Sequence, residues 1–298
     1  MKTILYATDC TSNAASTLKY AYRFSAIMKA ELHILHVYNF PPINLSTIQP
    51  LESLKKRMHK EQIELVNKYC AEHLKNEFCQ KPITFHVVEN SSVSDSVLRL
   101  SKILSPDLII IGMKDSHSTR GYFSGNIANL LLDKIEAPLL IVPNHIPYNV
   151  LETIVYATDF EEADILSIKK LIEIARPFEA LIEIVHVYEM NKHLARENME
   201  KFKNILLKQV SYPEITFRSI LSSKIKLGLL SVLNNGKASM LAMLERKHGW
   251  SFSNVFHKDL VKDMEASVEI PILAFNKHST KIKLQNTNVN NSKNKLAY

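Results

Sequence analysis

The sequence predicts an α/β protein made of two doubly wound domains, each a five-stranded parallel sheet with helices on both faces. Two observations carry this. Thr3-Ile4-Leu5-Tyr6-Ala7-Thr8-Asp9 returns 150 positions later as Thr153-Ile154-Val155-Tyr156-Ala157-Thr158-Asp159, and His36-Val37-Tyr38 returns as His186-Val187-Tyr188 at the same offset. One offset shared by two separated segments marks a duplication, so the 298 residues divide into two units of domain size. Within each unit, short apolar runs rich in β-formers alternate with stretches of helical periodicity. That is the pattern of a parallel sheet wrapped by crossover helices.

In the first copy, Thr3–Thr8 is an apolar run with a polar stop at Asp9. Ala14, Leu18, Ala21, Phe24 and Met28 form a helical stripe, with Thr11 or Ser12 as N-cap. Leu32–Tyr38 reads as the second strand, Leu51–Phe78 as a long helix, Ile83–Val88 as a strand and Val93–Leu104 as a helix. Asp107–Gly112 is a strand ending on glycine, a helix is expected over 124–135, and Pro138–Val142 is the last strand. Their unbroken apolar character is that of strands covered on both faces.

The second copy repeats the series: strands at 153–158, 181–188, 215–220, 240–244 and 270–275, and helices at 165–174, 201–210, 225–233 and 254–264. Pro138–Val142 matches Pro271–Phe275 at an offset of 133, so the second copy is 17 residues shorter. Most of the loss is expected in the long helical region after the second strand. The expected domains are 1–143 and 151–276, joined by a linker at 144–150.

Composition is that of an ordinary globular protein, 46% hydrophobic and 22% charged. No apolar run approaches the ~18 residues of a membrane span. The beginning lacks the shape of a signal peptide, and three cysteines, Cys10, Cys70 and Cys79, fit a reducing compartment. Cytoplasm is the expected location. The net charge of +7 includes +5 from Lys277, Lys281, Lys283, Lys293 and Lys295, in a tail without acidic residues. That segment, 277–298, reads as a basic, disordered, solubilising tail, with a weak contact to nucleic acid or another anionic surface as the alternative.

The chemistry is concentrated after the fourth strand. Three of the six glycines are Gly112, Gly121 and Gly125, in a loop that runs into a helix. Glycines let backbone approach a phosphate, and a helix N-terminus offers it unpaired N–H groups. Asp9, the turn after Val37 and the loop 112–126 should meet at the carboxyl edge of the sheet, where open parallel sheets bind ligands. The loop is neither a Walker A sequence nor the dinucleotide glycine fingerprint.

These residues resemble the tandem form of the universal stress protein family. The features are a strand ending in Thr-Asp, a His-Val after strand two, a Gly-x2-Gly-x9-Gly-Ser/Thr loop and a Pro before the last strand. Here the loop reads Gly112-x2-Asp115-x9-Gly125-Asn126, so two of the four defining positions differ. The resemblance implies Rossmann-like domains of strand order 3-2-1-4-5, paired through their strand-five edges as a pseudo-dimer within one chain, with a homodimer as a further option. It also implies an adenine nucleotide, ATP with Mg²⁺, in the first domain. The nucleotide-binding positions would be Ala7, Thr8, Asp9, Val37, Gly112, Met113, Gly125 and Asn126.

Asp115 sets a carboxylate beside the expected phosphates. Two unit charges ~4 Å apart repel by about 4 kcal/mol at an effective dielectric of ~20 unless Mg²⁺ bridges them. At offset 133 the second copy has Glu245, His248 and Lys258 where the first has Gly112, Asp115 and Gly125, so no nucleotide is expected there.

Other candidates read as structural. Asp9 serves either the nucleoside or the next helix as a cap. His33, His36 and His86 lie on separate strands without ligand spacing, so no metal site is expected. Cys10 reads as an apolar filler. The functional expectation is a stress-response protein acting as an adenine-nucleotide-binding regulatory module, with an unidentified protein partner. A nucleotide-free interaction or scaffold protein is the alternative, and a slow ATPase ranks third, because no base is evident for a γ-phosphate.

Overall fold

The computed structural model of the chain describes residues 1–40, 50–78, 80–113, 125–144, 146–235, 237–245, 264, 267–276 and 279. In the first copy the strands are β1 (Thr3–Thr8), β2 (Glu31–Tyr38), β3 (Ile83–Glu89), β4 (Leu108–Gly112) and β5 (Leu139–Val142). The helices between them are α1 (Ala15–Ile27), α2 (Leu51–Leu74), α3 (Val93–Leu104) and α4 (Gly125–Leu132). The second copy supplies β6 (Thr153–Ala157), α5 (Glu162–Ala175), β7 (Leu181–Tyr188), α6 (Lys192–Leu207), β8 (Ile215–Leu221), α7 (Ile225–Asn235), β9 (Met240–Leu244) and β10 (Ile272–Phe275). All ten strands form one sheet, ordered β3-β2-β1-β4-β5-β10-β9-β6-β7-β8.

Each half is therefore doubly wound in the order 3-2-1-4-5, parallel throughout. The two halves are joined by the single antiparallel pair β5–β10, with Leu140 opposite Leu273. The physical cause is burial on both faces: the central strands β1, β4, β5, β9 and β10 are apolar at successive positions and almost fully covered. Residues alternate between two cores. Ile4, Tyr6, Ile110, Leu140, Ile154 and Leu273 face one core, covered by α1, α2, α5 and α6. Leu5, Ala7, Ile111, Ile141, Val155 and Ile272 face the other, covered by α3, α4 and α7. Both cores continue across the β5–β10 seam.

Contacts outside the sheet strengthen the seam. Asn276 follows β10 and donates its side-chain amide to the carbonyl of Leu132 (2.6 Å), the last residue of α4, and to that of Ile135 (3.1 Å) in the turn after it. A second-copy side chain thus satisfies an orphan carbonyl at the end of a first-copy helix. Phe24 of α1 stacks on Phe178 with ring centroids 5.7 Å apart, again across the halves. Gly228 in α7 faces β7 so closely that a Cβ there would lie 2.6 Å from Val187 Cγ1.

Three expectations need correction. The helix after β7 begins at Lys192, nine residues before the expected start, and its polar face hides the buried stripe Ala195, Met199, Phe202 and Leu206. Thr11 holds the N-cap position of a 3-10 turn, Ser12–Ala14, that leads into α1, but its side chain makes no capping bond. The third correction concerns register. Ile4 pairs with Leu108 in the first copy and Ile154 pairs with Met240 in the second, an offset of 132 at the fourth strand of each copy. A hydrogen-bonded joint repeats at that offset. Asp107 Oδ2 accepts from the amides of Lys2 and Thr3, and Ser239 Oγ accepts from those of Glu152 and Thr153. The offset becomes 133 only at β5 and β10, so one residue is inserted between β9 and β10. Leu244 therefore stands at the position of Gly112, and Glu245 at that of Met113.

Candidate functional site

The carboxyl edges of β1, β2 and β4 converge, and the repeated motifs explain themselves there. Thr8 Oγ1 accepts from the Cys10 amide at 3.1 Å, and Thr158 Oγ1 accepts from Phe160 at 3.0 Å. The histidine of each His-Val pair donates Nδ1–H to the threonine carbonyl at the end of the neighbouring strand, His36 to Thr8 (3.2 Å) and His186 to Thr158 (3.0 Å). Cys10 and Phe160 have φ of 57° and 65°. The left-handed conformation costs a non-glycine residue about 1–2 kcal/mol and turns the chain sharply off the strand. Thr8 and His36 hold that turn from both sides.

The copies then part. In the first, Asp9 Oδ1 accepts from the Thr11 amide (3.0 Å) and hydroxyl (2.8 Å). Asp9 thus closes a turn on Thr11 ahead of the helix and is not itself a helix cap, since the cap positions there are Thr11 and Ala14. In the second, Asp164 lies completely buried and accepts from Tyr156 Oη (2.8 Å), Thr158 Oγ1 (2.9 Å), and the amides of Glu161 (3.1 Å) and Asp159 (3.3 Å). It also forms a capping box with Glu161 at the start of α5. Its counterpart in the first copy is Ala14, whose carbonyl accepts from Tyr6 Oη at 3.2 Å. A fully buried carboxylate therefore fills the strand-end turn of the second copy at a position where the first has Ala14. Sequence reasoning passed over Asp164, although the Ala14/Asp164 mismatch at offset 150 was its signal.

Gly112 ends β4 beside α1. A Cβ there would lie 3.2 Å from Thr17 Oγ1 and 3.6 Å from Asn144 Oδ1. Thr17 is wholly buried, and among the described residues its hydroxyl has no hydrogen-bond partner. Met113 follows, its amide bonded to the Val142 carbonyl. Ala7 and Thr8 are buried at the end of β1, and Val37 is 7% exposed near the end of β2. Asp115 and Gly121, like the second-copy residues His248 and Lys258, lie outside the described residues. Gly125 and Asn126 open α4. In the second copy Leu244 and Glu245 are both buried at this edge.

The cysteines here are held as thiols. Burial raises Cys10 well above the ordinary range, with further contributions from Cys70 and Asp9, and burial pushes Cys70 up to about 12. That agrees with a packing role.

His33 and His86 sit on paired strands, with Nδ1 and Nε2 2.9 Å apart and their rings stacked at 5.2 Å. Glu31 lies 3.7 Å from His33. Burial, and then His33, lower the pKa of His86. The folded protein therefore refuses a proton that the unfolded chain accepts near pH 6.5, and stability falls as pH drops below that value. A His86→Phe variant should show a shallower loss of stability between pH 7.5 and 5.5 in denaturant titrations. Parallel profiles would show that the pair contributes nothing. Among the described residues no cluster of three or more His, Cys, Asp or Glu could hold a metal, and no helix is long and apolar enough to cross a membrane.

A 3-2-1-4-5 sheet with a sharp Thr-Asp turn and a glycine-ended fourth strand at its switch point defines a doubly wound domain with its crevice at the carboxyl edge. Residues 1–143 match the universal stress protein family model, and this first domain belongs to that family. The likeness to solved structures spans both copies. A universal stress protein from Archaeoglobus fulgidus DSM 4304 superimposes with a TM-score of 0.66 at 16% identity, covering 92% of this chain and 98% of that one. A functionally unknown protein from Pseudomonas aeruginosa PAO1 gives 0.62 at 11% identity, covering 94% of each. At these identities the likeness establishes the fold. No curated protein matches the sequence.

Proposed function

We propose that the chain is a stress-response regulatory module of the cytoplasm whose first domain takes an adenine nucleotide, with Mg²⁺, and whose second domain takes none at the equivalent edge. The observation that carries this reading is the difference between the copies at the end of the fourth strand. Gly112 leaves room beside Thr17, whose buried hydroxyl has no partner among the described residues. Leu244 and the Asp164 carboxylate occupy the corresponding edge of the second copy. Ala7, Thr8, Asp9 and Val37 would border the nucleoside. Gly112, Met113, Gly125 and Asn126 would border the phosphates, with amides at the start of α4 directed at the anion. The nucleotide supplies a charge-dependent change in that edge, which an unidentified protein partner would read.

Calorimetric titration of ATP, with and without Mg²⁺, tests this on the wild type and on Gly125→Trp. The expected result is a Kd on the order of 10 µM, about −7 kcal/mol, abolished by the substitution. Absence of heat with ATP, ADP and AMP would leave a nucleotide-free interaction protein, the reading that the filled edge of the second copy favours.

A further inference from the structure

Next to the filled strand-end turn of the second copy lies an open cleft of about 940 Å³, between the edge of β6 and β7 and the helix α6. This is within the size range of small-molecule sites. Phe160, Val187 and Phe202 form an apolar wall, and Ile205 of α6 stands at its margin, 49% exposed. The wall is largely aromatic: Phe160 lies 4.2 Å from the His186 ring and 5.6 Å from Phe202, centroid to centroid.

His186 is the polar group set into this wall, 9% exposed. Its Nδ1 lies 3.0 Å from the Thr158 carbonyl. A carbonyl only accepts, so Nδ1 carries the proton and Nε2 of the neutral ring offers a bare lone pair. Burial, the largest influence, lowers the pKa of this histidine and keeps the ring neutral at pH 7. In the first copy the equivalent atom, His36 Nε2, is met by the Gln62 side chain at 3.1 Å. Among the described residues none meets His186 Nε2.

The charges around the cleft are mostly negative. Asp159, Glu162 and Glu189 line it, and the lining ammonium of Lys201 is already held by Glu197 at 2.5 Å. A phosphate or carboxylate would enter against three carboxylates, whereas a cation is attracted to them.

We propose that this cleft binds a small aromatic amine in its cationic form. The ring lies against Phe160 and Phe202, a ring N–H donates to His186 Nε2, and the ammonium group rests among the carboxylates. This site is separate from the nucleotide edge of the first domain and is independent of whether that edge is used.

Tryptamine is a suitable probe, because it combines an indole N–H with an ammonium group. Titrated calorimetrically into the full chain, it should bind with a submillimolar Kd. Indole-3-acetate, with the same ring and an anionic arm, should bind at least tenfold more weakly. His186→Phe keeps the ring shape and removes the acceptor, and should weaken tryptamine at least tenfold. Since that change also unpairs the Thr158 carbonyl, Ile205→Trp serves as a second variant. It fills the cleft from an exposed helical position and should weaken tryptamine to a similar extent. Gly125→Trp should leave tryptamine binding unchanged. No saturable binding, equal binding of indole-3-acetate, insensitivity to Ile205→Trp, or loss of binding in Gly125→Trp would each overturn the assignment.

Discussion

Asp164→Ala should lower the unfolding free energy by about 2–4 kcal/mol, although it only restores the residue that the first copy carries at that place. The carboxylate accepts from two side-chain hydroxyls and two backbone amides, all at the end of β6. Hydrogen bonds to a charged group are worth about 1.5–3 kcal/mol each. Its removal takes an acceptor from the buried hydroxyls of Tyr156 and Thr158, partly offset by relief of the cost of burying a charge. The first copy tolerates alanine because Tyr6 turns its hydroxyl to the Ala14 carbonyl and Asp9 turns to Thr11. Urea denaturation of the full chain measures the effect. Asp164→Asn, which keeps one acceptor oxygen, should fall between wild type and alanine. A change below about 0.5 kcal/mol for alanine would show that the turn rearranges freely.

The second large effect is expected at the seam. Leu140 and Leu273 face each other across β5–β10, and both are fully buried in the core that runs under both halves. Each replaced by alanine should cost about 2–5 kcal/mol through lost burial and the cavity left behind. The double variant should cost less than the sum, since one enlarged cavity replaces two. Because the cores are shared, unfolding should remain a single transition followed identically by fluorescence and circular dichroism. Strict additivity, or two separate transitions in the wild type, would mean that the halves are stabilised independently.

The fold was legible because its central strands are buried on both faces, so that each leaves an unbroken apolar run in the sequence. The repeated Thr-Asp and His-Val were legible because one bond pattern, threonine hydroxyl to amide and histidine to threonine carbonyl, is needed in both copies. The start of α6 was obscured because only four of its residues are buried and the intervening positions are mostly charged or polar. The single inserted residue between β9 and β10 was invisible from the Pro138/Pro271 match, since it lies before that anchor. Only ladder pairing shows that Leu244, and not Glu245, replaces Gly112. The His33–His86 contact was hidden for another reason: strand adjacency, which sequence spacing does not encode, brings together residues 53 positions apart. The glycine loop, the clearest chemical signal in the sequence, lies mostly outside the described residues.

Both partners of the β5–β10 ladder belong to one polypeptide, and about ten residues separate β5 from β6. Pairing of the halves is consequently a first-order event. Such a tether corresponds to an effective concentration of about millimolar, so dilution does not separate them. A pair of this kind responds to its ligand in the same way whether the cell holds ten copies or ten thousand. Each assembly also contains one glycine-ended edge and one filled edge in fixed proportion, an asymmetry that free exchange between identical chains could not maintain.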